Sequence, residues 1–237
     1  MTHPTIDHLV VAADTLAQGV RWCEGVLGVT PGPGGRHPAM GTHNRLLRLA
    51  PAGAADASGG SADPGPAAYL EIIAIDPEAP APAHPRWFGL DTRPPGAPPQ
   101  LVHWVLRVGA LQEHLDALRA AGADPGTVQA MTRSRPQGDL SWRLTVPPDG
   151  QPRLAGALPT LIEWDSEHPA LAMPPSGVAL MALYLGGVPD TVWPSVSAPG
   201  VQRVDGHRCG PALAALRAEL LCPRGRISLQ SPPAFNA

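Results

Sequence analysis

Two histidines and two glutamates recur at matched places in this chain of 237 residues. His8 and His103 each lie in an apolar, strand-like segment, and Glu71 and Glu163 lie in two later segments of the same kind. The separation is 63 residues in the first pair and 60 in the second. A polar side chain buried in a strand is costly unless it is paired, and one divalent cation would satisfy all four. The spacing therefore predicts a metal site at the junction of two halves.

The elements that position these residues follow the same order in both halves. In the first half, residues 15–27 have helical periodicity, with Asp14 as the predicted N-cap and Gly28 as the stop. In the second half, a helix over residues 111–121 is stopped by Gly122. Each half is therefore predicted to be a βαβββ module, with strands over residues 5–12, 29–31, 42–49 and 69–76, then 101–108, near 128, 140–146 and 158–165.

Strand alternation predicts which side chains share a face. Because successive residues point to opposite sides of a strand, His8 is expected beside Ile6 and Val10, and Asp7 on the other side. The same rule groups His103 with Leu101, Val105 and Arg107, Glu71 with Tyr69 and Ile73, and Glu163 with Leu161 and Asp165.

Composition excludes several functions. The formal charge of −3 gives no basic surface for nucleic acid, and all 17 basic residues are Arg, so a Schiff-base lysine and a phosphate-loop lysine are both absent. No glycine-rich segment has the pattern of a dinucleotide-binding turn. No apolar run is long enough to span a membrane and no signal pattern begins the chain, so a soluble, cytoplasmic protein is expected, with its three cysteines reduced.

The paired modules resemble the vicinal oxygen chelate superfamily, to which glyoxalase I and the extradiol dioxygenases belong. The string Gly34-Gly-Arg-His-Pro-Ala-Met-Gly-Thr-His-Asn-Arg-Leu-Leu, followed by Tyr69-Leu-Glu-Ile-Ile, is similar to its glyoxalase-like domain branch, and the resemblance covers about residues 4–170. It implies an α+β fold in which two βαβββ modules form a curved mixed sheet around one cavity. It also implies that the four metal ligands are His8, Glu71, His103 and Glu163.

The C-terminal part is predicted to be a degenerate third copy of the module. A strand near residues 177–185, a possible helix start near residue 189 and a strand pair within 212–230 follow the module's order without its His or Glu. This segment is expected to cover a sheet edge or to form a dimer contact. The predicted divisions are 1–99, 100–170 and 171–237, within a single compact unit.

Substrate-binding residues are predicted around the same cavity. Arg36 and Arg135 lie at equivalent places in the two modules and could hold an anionic group by bidentate hydrogen bonds. His43 and Asn44 are expected at the pocket mouth. The other histidines, including His37 and His168, lie beside prolines, on a helix or in glycine-rich loops and are not predicted site residues.

Two imidazoles and two carboxylates leave open positions on Ni, Co, Zn, Mn or Fe for a small substrate with adjacent oxygens. The prediction is a glyoxalase-like, metal-dependent isomerase or lyase. Glu163 is its predicted proton carrier, because the neighbouring charge of Asp165 would raise its proton affinity. An Fe(II) extradiol-type dioxygenase that uses His8, His103 and Glu163, and a metal-free small-molecule (drug) binding protein of the same fold, remain alternatives. A homodimer is possible, since modules of this superfamily also pair between chains.

Overall fold

The computed structural model describes residues 3–51, 68–133, 138–204 and 214–232 of the chain. The first module contains β1 (Thr5–Ala12), α1 (Leu16–Leu27), β2 (Gly32–His37), β3 (Thr42–Pro51) and β4 (Ala68–Ile75). The second contains β5 (Gln100–Arg107), α2 (Leu111–Ala120), β6 (Thr127–Arg133), β7 (Leu140–Val146) and β8 (Thr160–Trp164). The C-terminal part contains β9 (Ala179–Gly186), α3 (Trp193–Val196), β10 (Val201–Val204), β11 (Leu216–Cys222) and β12 (Gly225–Gln230). The predicted α+β fold is confirmed.

The described strands form one curved mixed sheet. Its order is β12-β11-β9-β3-β4-β1-β5-β8-β7-β6, with β2 beside β3 and β10 beside β9. In both modules the first strand runs parallel to the last, and the third pairs antiparallel with the last. The modules join through the antiparallel pair of β1 and β5. The strands that bear the predicted site residues are therefore neighbours at the centre of the sheet.

The helices form because their ends are capped and one face is apolar. The Thr15 hydroxyl accepts a hydrogen bond from the Gln18 N–H at the start of α1, so the N-cap is Thr15 rather than the predicted Asp14. Gly28 ends α1 with φ 77°, a left-handed conformation that favours glycine. In α2, Leu111, Leu115 and Leu118 are buried at helical spacing. Both helices thus pack one apolar face on the sheet.

The sheet has a separate apolar cluster on each face. The larger cluster contains β-strand residues such as Leu9, Val11 and Leu161 together with the buried helix residues. The smaller cluster includes Val10 and Ile162 and faces away from the helices. This second face is concave and open enough to hold a pocket.

Two local details differ from the sequence-based expectation. The second strand of the first module is Gly32–His37 rather than residues 29–31. In the C-terminal part, β10 pairs parallel with β9, which is not how the second strand of a module pairs. This part still covers an edge, because the start of β9 pairs with Ala50 and Pro51 at the end of β3. No helix among the described residues is long and apolar enough to cross a membrane.

Candidate functional site

A β-bulge in β1 places two consecutive polar residues at the site. Ile6 lies opposite Leu106 and His8 lies opposite Val105, which leaves Asp7 as an extra residue between them. The alternation of side chains between the two faces is therefore interrupted at the bulge. Ile6 lies in the larger apolar cluster, on the helix side of the sheet, and the prediction that it shares a face with His8 is wrong. His8 keeps the face predicted for it.

Asp7, His8 and Glu71 form a buried chain of charges. The Asp7 carboxylate is 2.7 Å from His8 Nδ1, and His8 Nε2 is 3.6 Å from Glu71 Oε2. All three side chains are buried. Burial disfavours the imidazolium, but the hydrogen bond with Asp7 and the nearby carboxylate of Glu71 outweigh it and raise the pKa of His8 to about 9. His8 is therefore a cation at neutral pH.

The carboxylates of Asp7 and Glu71 remain ionised because each lies beside His8. Burial alone would raise the pKa of Asp7, but its hydrogen bonds with His168 and His8 hold it well below the usual range. Burial alone would also raise the pKa of Glu71, but the nearby His8 imidazolium and the hydrogen bond from Asn44 lower it below its ordinary value. The Asp7–His8–Glu71 group thus has two negative charges on either side of one positive charge.

Asp7 also anchors the second module and the segment after it. Its Oδ2 accepts hydrogen bonds from Trp164 Nε1 at 2.8 Å and from His168 Nε2 at 3.0 Å. Tyr69 stacks on His8 with 4.5 Å between ring centroids. Sequence reasoning missed Asp7 and His168, because a bulge has no one-residue signature and His168 lies in a Pro-flanked loop. The adjacent acid and imidazole, Asp7 and His8, were the one available signal.

Asn44 holds Glu71 in place, which agrees with its predicted position near the site. Its Nδ2 donates to Glu71 Oε1, and its Oδ1 accepts from the Gly35 N–H at 2.7 Å. The close approach requires glycine at position 34, where a Cβ would lie 2.2 Å from Asn44. The β2–β3 pairing therefore positions the carboxylate of β4.

A cavity opens on the concave face of the sheet, over the side chains of His8 and Glu71. Its walls are largely aromatic, and its polar lining comes from both modules. Partly exposed His37 packs edge-on against Trp87, and burial among cations lowers its pKa to about 4, so it is neutral. The polar and aromatic side chains that line the cavity are His8, His37, Asn44, Tyr69, Glu71, Trp87, Phe88, Arg133, Trp142 and Trp164.

His103 faces the same side of the sheet but is differently bound. It is buried, and its Nε2 accepts a hydrogen bond from the Thr160 main-chain N–H at 3.0 Å. Its Nδ1 has no hydrogen-bond partner among the residues that the structure describes. Burial, aided by the nearby charge of His8, lowers the pKa of His103 to about 3, so this imidazole stays neutral.

Glu163 does not lie with the other three predicted ligands. It shares the helix side of β8 with Leu161, and its Oε2 accepts from the Leu111 N–H at 3.3 Å and from Arg143 Nη2 at 2.9 Å. The registers explain the placement: Glu71 lies opposite Val10 on β1, whereas Thr160 lies opposite Val105 on β5. Thr160, 57 residues after His103, thus occupies the position that Glu71 has in the first module.

These residues do not fit the four-ligand metal centre predicted from the sequence. Of the four predicted ligands, only His8 and Glu71 approach each other, because the Nε2 lone pair of His103 is used by Thr160 and Glu163 is on the other face. Over the described ranges no group of three or more His, Cys, Asp or Glu side chains is arranged to hold a metal ion. Structural metal sites use four ligands and catalytic zinc sites use three.

The other predicted substrate ligands lie outside this cavity. Arg36 is half exposed and bound by two carboxylates, Asp76 at 2.6 Å and Glu78 at 2.6 Å, which raise its pKa. His43 lies beside Asp76 at 3.9 Å, in the same outer groove as Arg36. Arg135 falls outside the described residues. The guanidinium of Arg36 is thus already paired within the protein.

Comparisons with known proteins identify the fold. Residues 6–193 match the family model described as a glyoxalase-like domain. A hypothetical protein from Staphylococcus aureus is similar in structure, with 12% identity, a TM-score of 0.52, and coverage of 97% of this chain and 88% of that one. Methylmalonyl-CoA epimerase from Mycobacterium tuberculosis has 21% identity, a TM-score of 0.37, and coverage of 71% and 91%. The same enzyme from Streptomyces coelicolor, with 2-nitronate-propionyl-CoA bound, has 15% identity, a TM-score of 0.42, and coverage of 70% and 100%. A search of curated proteins finds no match.

Proposed function

The chain belongs to the glyoxalase-like domain family, and we propose that it is a small-molecule enzyme of the isomerase type that moves a proton at a carbon next to a carbonyl group. The observation that supports this most directly is the buried Asp7–His8–Glu71 chain, which ends at the aromatic-walled cavity. In this proposal Glu71 carries the proton and His8 stabilises the negative charge that forms on the substrate oxygen.

The proposed step needs one base and one fixed cation. Glu71 removes the proton from the carbon, the electron pair of the broken C–H bond moves into the carbonyl group, and the resulting oxyanion accepts a hydrogen bond from His8 Nε2–H. Return of the proton from Glu71 to the same carbon regenerates the carbonyl group and, in D2O, exchanges the α-proton. Where that carbon bears a hydroxyl group, transfer of the hydroxyl proton to the oxyanion and return of the Glu71 proton to the former carbonyl carbon complete an isomerisation. The 3.6 Å separation of His8 Nε2 from Glu71 Oε2 exceeds hydrogen-bond length and leaves this donor available to the substrate.

The surroundings keep both groups in the required state. Asp7 holds His8 by Nδ1, so the other ring nitrogen is directed away from it and toward Glu71. Asn44 orients Glu71 by its Oε1. A hydrogen bond from His8 to the substrate oxyanion would weaken the attraction of the His8 charge for Glu71 and would raise the proton affinity of Glu71 as the reaction proceeds. Aromatic walls exclude water from the charges.

This mechanism departs from the sequence-based prediction in the nature of the cation. The imidazolium of His8 takes the place that a divalent metal would have, because the described ligand set does not fit a metal centre. The extradiol dioxygenase alternative needs His8, His103 and Glu163 on one ion, and the position of Glu163 does not fit it. The binding-protein alternative is supported by the aromatic walls, which could hold a planar molecule by stacking without turnover.

Solvent exchange tests the proposal without knowledge of the natural substrate. The full-length protein, treated with a chelator, is incubated in D2O with 2-oxo acids, α-hydroxy ketones and β-dicarbonyl compounds, and loss of the α-proton signal is followed by NMR. We expect at least one class to exchange, and Glu71→Gln to reduce its rate by about 100-fold or more, as expected for loss of a catalytic base.

Glu163→Gln is the matched control, since Glu163 lies on the helix side of the same sheet. We expect the exchange rate of this variant to stay within about twofold of the wild type, because Glu163 contacts neither the cavity nor the Asp7–His8–Glu71 group. Stoichiometric ligand binding without exchange would instead support the binding-protein alternative. Exchange that a chelator abolishes and Zn²⁺ restores would contradict the imidazolium mechanism.

A further inference from the structure

One basic side chain of the second module lies at the cavity that holds the charged group of the first module. Arg133 is the last residue of β6, an edge strand of the sheet, and it lines the same cavity as His8 and Glu71. The curved sheet brings β6 into contact with β2 of the first module. Arg133 therefore reaches the cavity from the other module, and the proposed proton transfer does not use it.

The lack of a side chain at Gly35 of β2 makes room for the Arg133 guanidinium. A Cβ at position 35 would lie 2.4 Å from Arg133 Nη1 and 2.9 Å from its Cζ, closer than Cβ atoms approach other atoms in proteins. Gly35 does not have a positive φ, so its backbone conformation does not require glycine. The close approach of the guanidinium accounts for glycine at this position.

The charge of Arg133 acts on two rings of the cavity lining. Burial lowers the pKa of His37 to about 4, and the nearby guanidinium adds to this effect. Burial raises the pKa of Tyr69 well above its ordinary value, and the guanidinium opposes that rise. Tyr69 in turn stacks on His8. The guanidinium therefore belongs to the same electrostatic environment as the His8 and Glu71 side chains.

A guanidinium at a cavity is suited to a carboxylate. It carries several N–H donors in a planar fork, and two parallel hydrogen bonds match the two oxygens of a carboxylate. With this many donors it can bind a ligand carboxylate and an acceptor within the protein at the same time. Among the described residues that line the cavity, His8 and Arg133 are cations, Glu71 is an anion and His37 is neutral.

The positions of these charges determine how such a ligand would lie. Two carboxylates and one imidazolium give the Asp7–His8–Glu71 group a net charge of −1, so a ligand carboxylate beside Glu71 would be repelled. Arg133 attracts the carboxylate to its own side of the cavity, which leaves the uncharged carbonyl end of the ligand for His8 and Glu71. A doubly charged phosphate would be repelled by Glu71 more strongly than a carboxylate.

We propose that Arg133 is the carboxylate-binding residue of this cavity and that the substrate is a small carboxylic acid with a carbonyl group. The proposal rests on the proposed function, because it names the substrate class of the molecule whose proton Glu71 would move. The cavity has room for a few water molecules, which limits the ligand to a small acid such as a short 2-oxo acid. The anionic group predicted to bind Arg36 and Arg135 binds Arg133 in this proposal.

Binding of oxamate to the full-length protein tests the carboxylate site. Oxamate is a 2-oxo carboxylate without an α-hydrogen, so its binding is measured apart from proton transfer, and ethyl oxamate is its neutral ester. Both are titrated by calorimetry at pH 7 after treatment with a chelator. We expect oxamate to bind saturably and more tightly than its ester. Arg133→Gln should weaken oxamate binding by about tenfold or more and abolish the preference for oxamate over the ester.

Gly35→Ala tests the position of the guanidinium without removing its charge. The added methyl group would meet the end of a flexible side chain, which can move aside, so the protein should still fold. The displaced guanidinium should bind oxamate about threefold or more weakly. Arg45→Gln is the matched control for Arg133→Gln, since Arg45 is exposed on β3 and lines the outer groove rather than this cavity. It should bind oxamate as the wild type does.

Three results would overturn the carboxylate site: oxamate that does not bind, oxamate that binds Arg133→Gln or Gly35→Ala as tightly as the wild type, and equal weakening in Arg45→Gln. The exchange assay separates the two proposals. Arg133-dependent oxamate binding without Glu71-dependent exchange overturns only the proton-transfer function. Glu71-dependent exchange without Arg133-dependent oxamate binding overturns only the carboxylate site.

Discussion

The two modules share one topology but use their last strands differently. In the first module, β4 directs Glu71 to the concave cavity, where Asn44 and His8 hold it. In the second, β8 directs Thr160 to that side, and Glu163 faces the helix α2. The first module therefore presents the charged Glu71 at this position, and the second module presents the uncharged Thr160.

This difference shows that equal spacing in sequence is not equal register in a sheet. The His-to-Glu separations differ by only three residues between the halves, yet an odd offset turns a side chain to the opposite face of a strand. Glu163 consequently serves the local structure of the second module.

Asp7→Asn should destabilise the protein strongly. The carboxylate accepts hydrogen bonds from His8, Trp164 and His168 while fully buried, and an amide cannot accept from all three or balance the His8 charge. Removal of one partner from a buried ion pair costs about 3 kcal/mol or more. Urea unfolding at pH 7 measures the loss. Asp149→Asn, at an exposed pair with Arg153, is the control and should change stability by less than about 1 kcal/mol.

Stability should fall as pH rises from 6 to 9.5. The pKa of His8 is about 9 in the folded chain against 6.5 for the free side chain, so its contribution is complete below pH 6.5 and is lost as pH rises through 9. The loss should reach about 3 kcal/mol by linkage. Urea unfolding across this range measures it, with His8→Gln as the reference. An equal fall in His8→Gln would contradict the assignment to His8.

Thr160→Glu should restore part of the metal site that the second module lacks. The new carboxylate would lie opposite Val105, as Glu71 lies opposite Val10, and would join His8 and Glu71 on the concave face. We expect Co²⁺ to bind at least about tenfold more tightly than to the wild type, measured by its visible absorption. Thr160→Gln is the uncharged control of the same length. Equal Co²⁺ affinity in both variants would argue against the register equivalence.

Glu163→Gln should have the smallest effect, and on stability alone. Glu163 accepts the Leu111 N–H at the first turn of α2 and pairs with half-exposed Arg143. Loss of a carboxylate at a helix N-terminus costs about 0.5 to 1 kcal/mol. Thermal unfolding measures it, and Arg143→Gln, which removes the other partner, should cost no more. A loss above about 2 kcal/mol would indicate a more central role for Glu163.

The modules, the helices and most strand positions can be predicted from local sequence patterns alone. Apolar periodicity and stop signals such as Gly28 are local properties, and they placed α1, α2 and the central strands within a few residues of where they lie. His8, Glu71 and Asn44 were also predicted as site residues. A polar side chain within or beside an apolar strand indicates a site even when the neighbouring strands are not known. The second strand of the first module was misplaced because its residues, Gly32–His37, are mostly Gly and Pro and have no strand pattern.

Which polar residues meet at the site depends on the pairing of distant strands. The bulge at Asp7 turned an acid toward Trp164 and His168, more than 150 residues away in sequence, and it made His8 a cation. The register of β8 on β5 exchanged Glu163 for Thr160 at the concave face. Both outcomes depend on pairing between distant strands, where a shift of a single residue reverses the direction of a side chain. Strand register therefore determines which side chains meet at this site. The sequence of a single strand does not determine that register.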